Sequence, residues 1–220
     1  SVYAYSGFRN PVQKLFQTSA FDSGAPFMVF LAFFAILMFF GGRLLSTLGP
    51  KKVGIIGGVL VGAGWILSGV LPNMVPSIWS LVLTYGVIGG SGVGLAYGGP
   101  IAVATRWFPD RKGLAVGLTV AGFGASPFVT ANLARPLIES NGPLYTFGVM
   151  GIAFLIIVVA LAFLLRFPAA DWKPAGLRTP TGAATQRLDM NQSQMVRTSS
   201  FWGLFLVYTI GCLAGLMAIG

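Results

Sequence analysis

The chain has no histidine, a single cysteine (Cys212) and few charges. Only 9% of its 220 residues are charged, and only five of them are acidic. Without histidine it lacks the commonest general base and metal ligand, and one cysteine excludes a disulfide framework and most metal sites. Soluble domains carry roughly 25% charged residues, so this composition excludes a normal water-exposed surface. We expect no metal, no cofactor and no enzymatic chemistry.

Long apolar runs take the place of the missing charge. Hydrophobic residues make up 55% of the chain, and a spanning helix needs about 20 in succession. Residues 1–8 resemble the last turns of a further, truncated helix. We therefore expect an all-α membrane protein with five complete and two truncated transmembrane helices. The spans and the start of the last helix are predicted at 24–43, 53–71, 78–104, 113–134, 144–165 and from 201 onward.

The basic residues alternate from loop to loop. Loops 43–52 and 105–112 and the segment 166–197 hold most of the 14 lysines and arginines. The positive-inside rule places these three regions in the cytoplasm. A nucleic-acid-binding protein would gather its charges on one face beside aromatic residues. Charges divided among separate loops argue against nucleic acid as a partner.

Glycines recur at every fourth position in two of the predicted spans. In water, each such glycine costs a helix about 1 kcal/mol. In lipid the backbone must bond to itself, so the segment stays helical, and the glycines leave a flat face on which another helix packs closely. We interpret the ladders as packing faces along which helices slide. They consist of Gly54, Gly58 and Gly62 in one span, and of Gly86, Gly90, Gly94 and Gly98 in the next.

Three short passages carry a resemblance to a known family. Residues 41–52, GGRLLSTLGPKK, are similar to the loop between helices two and three of major facilitator transporters. Residues 106–115, RWFPDRKGLA, resemble the loop between helices four and five of the oxalate/formate antiporter family. Tyr3 followed by Asn10 and Pro11 resembles a pattern of that family and of the related monocarboxylate porters. The second passage is the most specific of the three.

The resemblance implies the amino-terminal half of a twelve-helix, multi-pass transporter of a bacterial or archaeal inner membrane. Its regions would be a six-helix bundle at 1–167, a cytoplasmic linker at 168–200 and the start of helix seven at 201–220. The implied function is secondary active transport of small carboxylates by oxalate/formate-type exchange, with proton-coupled monocarboxylate symport as an alternative. A non-transporting assembly or receptor subunit is an alternative of another class. Its partners would be a small organic anion, the lipid bilayer and the missing carboxy-terminal half.

The resemblance also assigns site residues. It places Tyr3 and Tyr97 around the substrate, with the substrate-binding cations outside this chain. It assigns cytoplasmic gate motifs to Gly42, Arg43, Ser46, Gly49, Lys51, Arg106, Asp110 and Arg111. Ser46 departs from the family, because an acidic residue normally stands there and locks the cytoplasmic side. Either the lock is weaker here or Asp110 supplies the charge.

The remaining polar residues of the spans are read from the sequence alone. Tyr85 lies twelve residues before Tyr97, so we expect it near the outer surface as an interfacial anchor. Ser126, Thr130 and Asn132 are possible polar contacts, but we expect them instead to bond to neighbouring backbone groups.

Overall fold

The computed structural model describes residues 5–169, 172 and 192–219. All of its regular elements are helical in that part of the chain, and they divide between two compact units, Ser1–Pro174 and Ala175–Gly220. The helices are α1 (Tyr5–Phe16), α2 (Ala20–Met74), α3 (Ile78–Leu81), a π-helix (Val82–Gly89), α4 (Gly90–Trp107), α5 (Lys112–Ala162), α6 (Gln192–Met195) and α7 (Ser199–Ile219).

The two longest helices each break at a glycine. Gly49 has φ 78° and ψ 166°, and Gly142 has φ 82° and ψ 169°. Only glycine adopts this backbone conformation without strain. A proline follows each break, and its fixed φ suits the first turn of a new helix. We therefore divide α2 into α2a (20–48) and α2b (50–74), and α5 into α5a (112–141) and α5b (143–162).

Among the described residues, three helical segments are long and apolar enough to cross a membrane: Ala20–Met74, Ile78–Trp107 and Lys112–Ala162. The glycine breaks divide two of them, which gives five limbs, one for each complete span expected from the sequence. The limbs run a few residues beyond the apolar runs at most ends. The prediction of an all-α membrane fold is confirmed.

The glycine ladder that runs from Gly86 in the π-helix through Gly90 and Gly94 to Gly98 in α4 packs closely on α2a along its first three positions. A Cβ atom built on Gly90 would lie 2.6 Å from the carbonyl oxygen of Phe30, and one on Gly94 would lie 2.6 Å from that of Phe34. Gly86 makes a similar but slightly wider approach. The residue numbers rise together along both helices, so α2a and α4 run in the same direction.

The α2b ladder packs on α5b. A Cβ on Gly58 would lie 2.9 Å from Cγ1 of Val158, and one on Gly54 would lie 3.0 Å from Cβ of Ala162. Here the numbers run in opposite directions, so the two limbs are antiparallel. The opposite face of α2b packs on α4, where Gly57 approaches that helix equally closely. Both ladders therefore hold helices together inside one bundle, and a motion between two halves would use other surfaces.

A buried aromatic cluster joins α1, α2b, the π-helix and α5b. Trp65 and Tyr85 are both fully buried, with ring centroids 5.5 Å apart. Trp65 also contacts Phe147 at 5.2 Å and Phe8 at 5.9 Å, and Tyr85 stacks on Tyr5 at 5.0 Å. The prediction of Tyr85 as an interfacial anchor is wrong, because neighbouring helices enclose its ring.

Buried hydroxyl groups accompany the π-helix. Thr84 donates a hydrogen bond to the Ser80 carbonyl oxygen (2.8 Å), and Ser68 Oγ lies 2.9 Å from Thr84 Oγ1. Ser68 and Thr84 are almost completely buried. Hydrogen bonding lets these polar groups lie between helices without the cost of an unpaired group.

The second unit contributes an apolar helix, α7. It begins at Ser199, two residues before the predicted start, and Trp202 Nε1 donates to the Val196 carbonyl oxygen at 2.9 Å. Most of the predicted linker at 168–200 lies outside the described residues. The boundaries drawn from the sequence at 167 and 200 stay predictions.

Candidate functional site

A cavity of about 300 Å³ lies among α2b, α4, α5a and α5b. Most of its lining side chains are apolar, and the others carry a hydroxyl group. None of the lining residues that the structure describes is charged or carries an amide. The hydroxyl-bearing residues of the lining are Tyr97, Thr119, Ser126 and Thr130.

Tyr97 forms part of the cavity wall. Its ring packs edge-on against Phe34 of α2a at 5.5 Å and against Phe123 of α5a at 5.0 Å. Tyr97 of α4 therefore contacts both α2a, on which α4 packs closely, and α5a, which forms another wall of the cavity. Tyr3, the other tyrosine expected near a substrate, lies outside the described residues.

The hydroxyls of α5a differ in how their protons are used. Thr119 donates to the Ala115 carbonyl oxygen at 2.8 Å, and Thr130 donates to that of Ser126 at 2.9 Å. A hydroxyl has one proton, so each threonine has only lone pairs left for another partner. The Ser126 hydroxyl makes no hydrogen bond to any residue that the structure describes.

The prediction that these residues bond to their own helix is therefore right in part. It is confirmed for Thr130, and for Asn132, whose Nδ2 donates to the Phe128 carbonyl oxygen at 2.7 Å. It is wrong for Ser126. The sequence held a signal for this wall, because positions 119, 123, 126 and 130 follow the helical repeat and share one face.

The glycines of α4 and α5a show which helix surfaces pack against a neighbouring helix and which do not. A Cβ on Gly98 would meet no atom of a described residue within 4 Å, whereas those on Gly90 and Gly94 would lie very close to α2a. The α5a glycines are likewise open to the described residues. They are Gly113, Gly117, Gly122 and Gly124.

Hydrogen bonds to its own backbone organise the segment 43–52, which the sequence predicts to be a cytoplasmic loop. Ser46 Oγ donates to the Arg43 carbonyl oxygen at 2.7 Å, so the serine bonds within its own helix. Gly49 supplies the chain reversal, and a Cβ on Gly42 would meet no described atom within 4 Å. Within the described part of the chain, no ion pair joins this loop to Asp110.

The second loop holds the one ion pair found among the described residues. It joins Asp110 Oδ2 to Nε of the neighbouring Arg111 at 3.6 Å, with both side chains well exposed. Pairs of this kind contribute little stability. Asp110 is therefore paired within its own loop.

One basic side chain from each of the two loops lies on an aromatic ring that follows α5b. The Arg106 guanidinium lies 3.8 Å from the ring centre of Phe167, and Lys51 Nζ lies 4.5 Å from that of Phe163. Trp107 Nε1 donates to a carbonyl oxygen of the same segment at 2.8 Å. Such cation–π contacts contribute roughly 0.5–1 kcal/mol at exposed sites. Sequence reasoning missed these contacts, although two phenylalanines four residues apart were a visible signal.

The arrangement suits non-covalent binding of a small molecule. No group of three His, Cys, Asp or Glu side chains comes together within the part of the chain that the structure describes. The cavity offers apolar surface and hydroxyl groups to an occupant, and a charged occupant would need its counter-charge from elsewhere.

Comparisons with known proteins agree on one family. Residues 2–220 match the Major Facilitator Superfamily. The chain is 31% identical to the oxalate:formate antiporter of Oxalobacter formigenes over 183 residues, which are 81% of this chain and 40% of that protein.

Two other relatives are similar over shorter stretches. The chain is 32% identical to apicoplast pyruvate carrier 1 of Toxoplasma gondii over 174 residues, 66% of this chain and 31% of that protein. It is 37% identical to monocarboxylate transporter 9 of Gallus gallus over 98 residues, 44% of this chain and 18% of that protein. The chain thus spans less than half the length of these curated relatives.

Proposed function

This chain belongs to the major facilitator superfamily and is related to oxalate/formate antiporters and monocarboxylate porters, and we propose that the whole protein transports small carboxylates across a membrane by exchange. Transporters of this superfamily consist of two helical halves that move around a site near the bilayer midplane. Residues 5–169 supply the helices of one half. In this proposal α7 begins the second half.

The cavity beside Tyr97 is the observation that carries the proposal. It lies among helices that are long enough to span a bilayer, and Ser126 on its wall is near the middle of limb 112–141. The Tyr97 ring shields one side from water, and its phenol hydroxyl is suited to bind a carboxylate oxygen. Tyr3 is proposed as a second tyrosine of the same site. Cations from the other half would bind the carboxylate.

The two cytoplasmic loops are proposed to form part of the gate. Lys51 of the first loop and Arg106 of the second lie on aromatic rings after α5b, so a shift of that segment would move both loops together. Ser46 bonds within its own helix, and Asp110 pairs with the adjacent Arg111. Ser46 stands where the family has an acidic residue that locks the cytoplasmic side. We therefore favour a weaker lock in this protein over a lock in which Asp110 supplies the missing charge.

The chain is part of an integral, multi-pass membrane protein. Its relatives include eukaryotic proteins as well as bacterial ones. A bacterial or archaeal inner membrane therefore remains our proposal for its location.

Proton-coupled monocarboxylate symport is the second candidate mechanism. The similarity to monocarboxylate transporter 9 favours it. The described residues of the cavity lining include no carboxyl group, so a proton carrier would also have to come from the other half. We favour exchange because the similarity to the oxalate:formate antiporter covers 81% of this chain, against 44% for the monocarboxylate transporter. In exchange, a second anion rather than a proton drives the return step.

Uptake of labelled carboxylates by the full-length protein in proteoliposomes tests this function. We expect uptake that depends on a preloaded counter-anion and not on a pH gradient.

The Tyr97→Phe variant keeps the ring and loses the hydroxyl. Because it loses one good hydrogen bond to the substrate, it should show about tenfold weaker apparent affinity with little change in folding. Tyr145→Phe, which alters an exposed tyrosine outside the cavity, is the control. Uptake that needs no counter-anion would contradict exchange, and unchanged affinity in Tyr97→Phe would remove its hydroxyl from the site.

A further inference from the structure

The cavity wall on α5a has a defined hydrogen-bonding character. Ser126 and Thr130 lie one helical turn apart on the face that lines the cavity. The Thr130 proton is donated to the Ser126 carbonyl oxygen, so Thr130 faces a ligand as an acceptor only. The Ser126 hydroxyl, which bonds to no described residue, is able both to donate and to accept. Together they offer one donor and two acceptors.

A carboxylate is a poor match for this wall. Ionised carboxylates only accept hydrogen bonds, so one placed here would use the Ser126 donor and face the lone pairs of Thr130. The lining residues within the described part of the chain supply no cation, and a charge buried without a partner is strongly unfavourable. A hydroxyl group is the better match, because it donates to Thr130 and accepts from Ser126.

We propose, on the premise that this cavity is the carboxylate site, that it selects monocarboxylates with a hydroxyl at carbon 2, such as glycolate and lactate, through Ser126 and Thr130. The carboxylate of the substrate lies toward the cations of the other half. Its hydroxyl bonds to the two side chains, and its short carbon chain lies on the apolar wall. A dicarboxylate such as oxalate would place a second charge against that wall and bind more weakly.

Thr119 provides a matched control on the same limb. Its hydroxyl also lines the cavity and also donates to its own helix. It lies eleven positions before Thr130, about 16 Å along the helix axis. A molecule the size of lactate cannot reach both threonines at once.

Competition in proteoliposomes of the full-length protein tests the proposal. With labelled lactate as the transported anion, we expect unlabelled lactate to compete about tenfold better than propionate, and propionate better than oxalate. The isosteric Thr130→Val variant should lower the preference for lactate over propionate to about one and leave the inhibition constant of propionate unchanged. Ser126→Ala should lower that preference in the same way, and Thr119→Val should retain it.

The possible failures are distinguishable. Equal competition by lactate and propionate in the unmodified protein, or stronger competition by oxalate, would overturn the hydroxyl inference while carboxylate transport stands. A preference for lactate that survives in both Thr130→Val and Ser126→Ala would also overturn it. If neither labelled lactate nor labelled oxalate enters the vesicles, the proposed function itself fails.

Discussion

The Gly90→Leu substitution is expected to separate α4 from α2a and to leave little folded protein. A Cβ at this position would lie 2.6 Å from the Phe30 carbonyl oxygen and 3.0 Å from the Phe30 Cα. These are backbone atoms, so no rotation of a side chain relieves the clash. Overpacking typically lowers the free energy of unfolding by about 1–3 kcal/mol or more. We expect a loss at the upper end of this range, because a whole leucine side chain would meet a neighbouring backbone. The fraction of monodisperse protein in mild detergent and its melting temperature measure the effect.

Gly98→Leu is the matched control, in the same helix and the same ladder. A Cβ there meets no described atom within 4 Å. Replacement of a glycine within a helix also favours the helix by up to about 1 kcal/mol. We expect Gly98→Leu to fold as the unmodified protein does. Similar loss of folded protein in both variants would show that the ladder does not have the packed and open rungs described above.

Trp65→Ala is expected to destabilise the bundle by about 3–5 kcal/mol, the usual cost of removing a large buried aromatic side chain. The indole is fully buried and contacts rings from α1, the π-helix and α5b. Its loss would leave a cavity where four elements meet. Unfolding of the full-length protein by a denaturing detergent, followed by loss of helical signal, measures the change.

Trp65→Phe separates ring packing from the indole N–H. That Nε1 group is buried and has no hydrogen-bond partner among the described residues. An unpaired buried donor costs roughly 1–3 kcal/mol. Phenylalanine removes the donor and keeps much of the ring, so we expect a far smaller loss than in Trp65→Ala. Trp79→Ala, at a tryptophan that is 69% exposed, should change stability little. Equal losses at positions 65 and 79 would contradict a core centred on Trp65.

The spans were predictable because the bilayer imposes a length. An apolar run of about 20 residues specifies a crossing helix without knowledge of its neighbours. The turns at Gly49 and Gly142 also carry a local signal, since each glycine is followed by a proline. The ends of the limbs were less predictable, because a helix continues into the interfacial region after the apolar run has ended.

Packing depends on which face of a helix meets which neighbour, and composition does not specify this. The sequence predicts that Tyr85 is an interfacial tyrosine. In the structure the rings of Tyr5, Trp65 and Phe147 enclose it. Gly98 has the same spacing as Gly94, yet only Gly94 meets α2a. The π-helix at Val82–Gly89 has no compositional signal of its own.

The candidate site was predictable only in part. Tyr97 came from a family resemblance, and the structure places it on a cavity wall. The roles of Ser126 and Thr130 depend on the use of single hydroxyl protons, which the helix geometry determines. No sequence pattern distinguishes a hydroxyl bonded to its own helix from one that is not.

Protection of a cavity cysteine by substrate tests the central claim most directly, namely that the cavity beside Tyr97 holds the carboxylate. The Ser126→Cys variant would be made in a Cys212→Ser background, because the native cysteine is exposed. Ser140→Cys, an exposed position near the end of α5a, is the control. Labelling of both by a small thiol reagent would be timed in proteoliposomes with and without carboxylate. We predict that carboxylate slows labelling at position 126 severalfold and leaves position 140 unchanged. Transport of the carboxylate by the Ser126→Cys protein with no protection at position 126 would contradict the account.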